Sequence, residues 1–130
     1  MRLLLICLGG AVGTGARYLI GGLAARWLGP EFPYGTLFIN VLGSFLIGFI
    51  QQVGLTTLAI PETTRLVLTI GVMGGLTTYS SFSYETIRLI ENGSWLGAAA
   101  NIVLTTCLCL VVCVLGLGLG RLVVGWKGGL

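Results

Sequence analysis

The amino-acid sequence predicts an all-α membrane protein with four transmembrane helices, and two observations predict it. Of the 130 residues, 55% are hydrophobic and only 8% are charged, against roughly 25% charged in an ordinary soluble domain. A helix needs about 20 mainly apolar residues to cross a bilayer at roughly 1.5 Å rise per residue. Four stretches meet that need: residues 3–28, 34–60, 66–90 and 95–124. Only short breaks separate them, so residues 1–130 read as a single four-helix transmembrane domain with no extramembrane portion to hold a soluble active site.

The first span is too long for a removable signal peptide, has no polar cleavage region and carries Arg17 in its middle. Gly9, Gly13, Arg17 and Gly21 recur every four positions, one face of a helix. The chain holds 22 glycines, against a usual share of roughly 7%. Small residues let helix backbones approach in lipid, where no hydrophobic effect drives helices together, so this face reads as a helix contact. An arginine within a span is costly and marks either a function or a side chain reaching for the headgroups.

"GPEFP" (29–33) supplies two prolines and a charge before the second span. Within that span Thr36, Asn40, Ser44, Gly48 and Gln51 fall on one helix face, and Phe38, Leu42, Phe45 and Phe49 on another. A buried Asn in hydrocarbon requires a partner, which leaves Asn40 as interhelical glue or as part of a wet pathway.

After "IPETTR" (60–65) the third span contains "GVMGGLTTYSSFSYE" (71–85). Gly74 and Gly75 each weaken a helix by about 1 kcal/mol relative to Ala. The hydroxyls of Thr77, Thr78, Ser80 and Ser81 compete for backbone hydrogen bonds. The third helix is therefore expected to break near its middle. Backbone freed at membrane depth is tolerated where it is buried in protein or lines a cavity, and broken helices offer carbonyls and amides to ions, so the break is expected to serve an ion site. Downstream, Tyr79 and Phe82 share a helix face, while Thr77, Ser81, Glu85 and Arg88 line another. Aromatic edges are electropositive and can touch a small anion, although such a pair also serves ordinary packing. Pairing with Arg88 is the simplest reading of Glu85.

"ENGS" (91–94) and the interfacial Trp95 introduce the fourth span, where Asn101, Thr105, Cys109 and Cys113 share a face and Gly116 and Gly120 form a second small-residue pair. Cys7, Cys107, Cys109 and Cys113 all lie inside spans, which argues against disulfides. The chain has no His and no carboxylate near these cysteines, which argues against a metal site and for small packing residues.

With four spans, Arg2, Arg65, Arg121 and Lys127 lie on the side of the termini, and Arg26 and Arg88 on the other. This bias favours termini in the cytoplasm but is weak enough to permit insertion both ways up, and so an antiparallel pair. Two polar stripes suggest a lined route, and four short helices enclose little room for one. A homodimer is implied. The chain has no nucleotide motif and no nucleophile with a base, which excludes the usual membrane enzymes. Two other classes stay in view. A small proton-coupled multidrug or cation exporter would want a buried carboxylate in the first span, which has none. A noncatalytic assembly subunit would need no break surrounded by hydroxyls.

The runs "GGAVGTGARY" (9–18), "PYGTLFINVLGSFLIG" (33–48) and "GGLTTYSSFS" (74–83) together resemble the hallmarks of the CrcB or Fluc family of fluoride channels, in matching order and over essentially the whole chain. The resemblance implies a channel of the inner (plasma) membrane that exports fluoride passively and relieves its toxicity. It implies a dual-topology antiparallel homodimer with two fluoride pores, and a structural sodium ion at the dimer centre. The sodium ligands would be the backbone carbonyls of Gly74 and Thr77 from both subunits. In the pore the resemblance places Asn40 and Phe82, and also Tyr79, where the family has Phe. Thr36, Ser80 and Ser81 would add hydroxyl donors, and Asn101 and Thr105 match the fourth-span pattern loosely. Arg17 matches the family's basic residue and would draw anions toward a vestibule.

Overall fold

The computed structural model describes residues 1–57 and 59–128, with side chains described through Trp126. The charge of Lys127, weighed above for orientation, lies outside the described side chains. All regular structure among the described residues is helical. The first two helices are α1 (Arg2–Leu28) and α2 (Tyr34–Thr56). Next, α3 (Glu62–Leu66) runs into a π-helical stretch, Val67–Met73, and then into α4 (Gly74–Leu76). The chain is completed by α5 (Tyr79–Glu91) and α6 (Trp95–Gly128). Four stretches are long and apolar enough to cross a membrane: Arg2–Leu28, Tyr34–Thr56, Glu62–Glu91 and Trp95–Trp126. The protein is an all-α, multi-pass membrane protein. Its large apolar side chains, among them Leu3, Leu19, Val111 and Leu122, stand on the outside of the bundle, where lipid rather than water receives them.

Backbone chemistry, more than hydropathy, decides where these helices end. The second span stops at Thr56 and not at residue 60. Thr57 is extended (φ −124°, ψ 149°), and its hydroxyl donates to the Val53 carbonyl at 2.8 Å. The third span begins at Glu62 and not at residue 66. Pro61 (φ −55°, ψ 145°) stands just before it, and Glu62 in the first turn faces the positive end of the helix dipole. Arg2 reaches Glu62 at 3.5 Å, so the first and third spans start at the same end of the bundle. Between α5 and α6 the chain turns on Gly93 (φ 78°). There the amide of Ser94 bonds to Leu89 O at 2.8 Å and that of Gly93 to Ile90 O at 2.9 Å, the paired closure that a left-handed glycine permits.

Glycines bring the helices together as their spacing predicts. A Cβ on Gly9 would lie 2.9 Å from the carbonyl oxygen of Val67, and one on Gly13 would strike the Val72 carbonyl. Gly116 meets the Phe45 carbonyl in the same way, and a Cβ on Gly120 would lie 2.8 Å from Gln52 Cβ. Thus α1 lies on the third span and α6 on α2, backbone against backbone. A small core of Ile39, Met73 and Leu76, flanked by Ala16, Ile20 and Leu46, sits between them.

One expectation is corrected. Gly74 and Gly75 do not open the third span; both lie in α4, and Gly74 is helical (φ −62°, ψ −36°). The residues with extended backbone are Thr77 (φ −80°, ψ 153°) and Thr78 (φ −152°, ψ 119°). Gly75 instead permits close packing, since any Cβ there would strike the Gly10 carbonyl of α1, whereas nothing lies within 4 Å of a Cβ on Gly74.

Candidate functional site

The site is built outward from Thr78. Its hydroxyl caps α5, accepting the Ser81 amide at 3.2 Å, donating to Ser81 Oγ at 3.2 Å and lying 3.2 Å from Ser80 Oγ. Threonine is a favoured residue for this N-terminal position, where a side-chain oxygen satisfies an orphan amide. Asn40 of α2 holds the backbone of the same residue. The Thr78 amide donates to Asn40 Oδ1 at 2.9 Å, and Asn40 Nδ2 donates to the Thr78 carbonyl at 3.2 Å. Only 9% of Asn40 is exposed, so these bonds offset the cost of burying its amide. Asn40 thus ties α2 to the third span, and one of its two Nδ2 hydrogens has no acceptor among the described residues.

This capture changes two carbonyls. In a continuous α-helix the Gly74 carbonyl would receive the Thr78 amide, and the Thr77 carbonyl the Ser81 amide. The first amide goes to Asn40 Oδ1 and the second to Thr78 Oγ1. Thr77 itself is still tied to the helix behind it, its amide reaching Met73 O at 2.9 Å and its hydroxyl reaching the same oxygen at 2.8 Å.

In front of the capture lies a cavity of about 440 Å³ between α2, the third span and α6. Six of the residues expected at the pore or the sodium site line it: Asn40, Gly74, Thr77, Tyr79, Phe82 and Thr105. Ser44, Thr106 and Cys109 add polar or polarizable lining. The rings of Tyr79 and Phe82 stand 5.5 Å apart between centroids and are tilted by 52°, a geometry that points edges and not only faces at neighbouring groups. Tyr79 is 80% exposed in the single chain, and Gly74 and Ser80 are exposed beside it. The cavity is therefore open on the flank those residues form.

Behind Phe82 runs a buried chain of hydrogen bonds. Thr105 Oγ1 donates to Asn101 Oδ1 at 3.3 Å, Asn101 Nδ2 donates to Thr86 Oγ1 at 2.9 Å, and the Thr86 hydroxyl donates to the Phe82 carbonyl at 2.7 Å. Asn101 is 1% exposed, so it braces α5 on α6 and lines neither cavity. Thr86 was not singled out from the sequence. A lone Thr in a helix usually bonds back to its own backbone, and only the fold reveals that it also receives Asn101.

Thr36 lies apart from the first cavity. It lines a second one, of about 340 Å³, with Glu85, Arg88 and the 29–33 connection. Its hydroxyl donates to Glu85 Oε1 at 2.8 Å. Arg88 pairs with Glu91 at 3.0 Å, which corrects the expected Glu85–Arg88 pair: Thr36 presents a donor to Glu85 from α2, and Arg88 turns toward the exposed helix end. Arg17 is half-buried on α1 and is absent from the lining of either cavity. The far end of the α2 stripe is structural, with Arg65 Nη1 donating to Gln51 Oε1 at 3.0 Å.

Comparison with known proteins places this geometry. The family described as CrcB-like protein, Camphor Resistance (CrcB), matches residues 4–117. A protein of Anaeromyxobacter sp. (strain K) is 56% identical over 110 residues, 85% of this chain and 87% of the relative. One from Sorangium cellulosum (strain So ce56) is 53% identical over 116 residues, 89% and 91% of the two chains. One from Geobacter metallireducens (strain ATCC 53774 / DSM 7210 / GS-15) is 47% identical over 121 residues, 93% and 98%. All three carry the name fluoride-specific ion channel FluC. Match and motifs agree along nearly the whole length: the chain belongs to the CrcB family, the family its three sequence motifs resemble.

Proposed function

We propose that the protein is a fluoride-selective channel that lets fluoride leave the cell passively through the inner (plasma) membrane, relieving its toxicity. It is a transporter and not an enzyme. The observation that carries this reading is the cavity in which Asn40, Tyr79, Phe82 and Thr105 gather beside the extended residues Thr77 and Thr78. Fluoride is small and tightly hydrated, so a pore must replace its water with donors that bind strongly enough to admit it and weakly enough to release it. The hydroxyl of Thr106, the free Nδ2 hydrogen of Asn40 and the ring edges of Tyr79 and Phe82 are donors of that kind, while the Thr105 hydroxyl is spent on Asn101. The names carried by the relatives support the same ion.

The working unit in this reading is an antiparallel, dual-topology homodimer. The cavity opens on the flank of Gly74, Tyr79 and Ser80, all exposed in the single chain, and a second copy laid there would enclose it. In this reading the two extended residues Thr77 and Thr78 are the break in the third span, next in sequence to the exposed Tyr79 and Ser80 of that flank. A structural sodium ion at the dimer centre fits the residues present. The carbonyls of Gly74 and Thr77 have lost their helical donors to Asn40 and Thr78, and oxygen ligands of this type suit a hard cation. When bound, the ion would supply positive charge between the two chains. Ser80 and Ser81 then stand at the mouth as hydroxyl donors, Thr36 lines the outer cavity, and Arg17 adds positive charge near the route. Asn101 supports the wall from behind. A proton-coupled exporter is not favoured: no carboxylate lies in the first cavity's lining. A purely structural subunit has no use for that cavity. Fluoride efflux from liposomes that contain only the purified chain, set against chloride, tests the proposal.

A further inference from the structure

The pair of hydrogen bonds on Asn40 does more than satisfy a buried amide. Thr78 is the second of two extended residues in a membrane-spanning segment, and one side chain takes both its hydrogen-bonding groups, as a neighbouring strand would. Asn40 is well placed to do so. Beside it on α2, Ile39 is buried in the core, and one turn later Gly43 has no side chain, which admits the methyl of Thr77. With the Thr77 amide and hydroxyl already on Met73 O, the helix can be left only at the next amide. That amide is the one Asn40 takes.

We propose that Asn40 is a positioning residue which, by capturing the Thr78 backbone, holds the Gly74 carbonyl open for a cation. The inference rests on the reading of Gly74 and Thr77 carbonyls as sodium ligands. A helical carbonyl spends a lone pair on the amide four residues ahead, and without that amide both lone pairs are available to a hard cation. The capture needs a donor and an acceptor on one short side chain. A carboxamide has both, a carboxylate has only acceptors, and an aliphatic side chain has neither. Asn40 thereby links the wall of the cavity to the central ion site, 34 positions away in the chain.

The test compares the melting temperature of the purified dimer in sodium chloride and in potassium chloride, for the wild type and for Asn40→Leu, with assembly followed by size-exclusion chromatography. The wild type is expected to melt higher in sodium, and Asn40→Leu is expected to lose that difference while remaining a dimer. A sodium difference kept in full by Asn40→Leu overturns the inference and leaves the sodium site standing. A wild type indifferent to sodium overturns the sodium reading and this inference with it. A second measurement needs no variant: hydrogen exchange at the Thr78 amide. It is expected to be as slow as exchange at the helical amides of α5, although Thr78 has extended backbone. Exchange as fast as at an exposed chain end overturns the capture, whether or not Asn40→Leu assembles.

Discussion

Thr36 on α2 and Glu85 on α5 are joined across the bundle by a 2.8 Å hydrogen bond, while the other carboxyl oxygen of Glu85 is buried with no partner among the described residues. Thr36→Val removes the donor at nearly constant volume and leaves both oxygens unpartnered. The expected loss is about 1–3 kcal/mol, the range for orphaning a buried polar group, with Thr36→Ser close to the wild type. Chemical or thermal unfolding of the purified protein checks it, and a Thr36→Val protein as stable as the wild type would show that the bond carries no weight. Glu85→Gln keeps an acceptor for Thr36 and removes the capacity for negative charge, so fluoride efflux is expected to persist or to quicken. A collapse of transport in this variant would place the carboxyl itself on the route.

The cavity side chains are expected to divide by chemistry. Phe82→Ile removes a ring edge and keeps an apolar side chain, and should cut fluoride efflux by about tenfold or more, the scale of 1.4 kcal/mol or greater at an ion site. Asn40→Asp puts an acceptor where a donor faces the cavity and should nearly abolish efflux, because bonds to a charged ligand exceed the ~1 kcal/mol of a neutral pair. Tyr79→Phe keeps the ring and should be mild. Size-exclusion chromatography must show intact dimers in each case. Fully active Asn40→Asp and Phe82→Ile dimers would move the route elsewhere.

Adjacent glycines are expected to behave differently. Gly75→Ala sets a methyl against the Gly10 carbonyl of α1 and should lower folded yield, because neither backbone can yield cheaply. At Gly74 an added Cβ meets no other element within 4 Å, so the harm expected of Gly74→Val is assigned to contact with a second copy. It should leave the helices formed, as read by circular dichroism, and weaken assembly and sodium-dependent stability. A Gly74→Val protein that assembles normally would remove the case for a second copy at this position.

Much of this architecture was legible in the sequence, and the remainder was illegible for physical reasons. Spans are set by apolar length, so all four could be read. Their ends depend on local backbone chemistry at Thr57 and Pro61, which hydropathy does not register. The glycine faces of α1 and α6 were legible as periodicity, yet Gly74 and Gly75 look alike in sequence and differ only in which helix packs beside them. Asn40 announced that it needed a partner. That the partner is the backbone of Thr78, 38 positions away, is a tertiary fact. Glu85 was matched with its sequence neighbour Arg88, and that local reading overlooked the donor arriving from α2.

Dual topology makes a separate claim. A tag fused to one terminus should be accessible from both sides of the membrane in intact and permeabilised cells, in keeping with the weak Lys and Arg bias. Access from one side only, for every copy, would exclude the antiparallel dimer.

The central claim is that this chain alone makes a selective path for fluoride. Liposomes that contain only the purified protein, loaded in turn with potassium fluoride and potassium chloride and released by valinomycin, test it most directly. Rapid fluoride efflux that needs no proton gradient or nucleotide is expected, with chloride held inside. Chloride efflux at the same rate, or fluoride release only in exchange for protons, would contradict it.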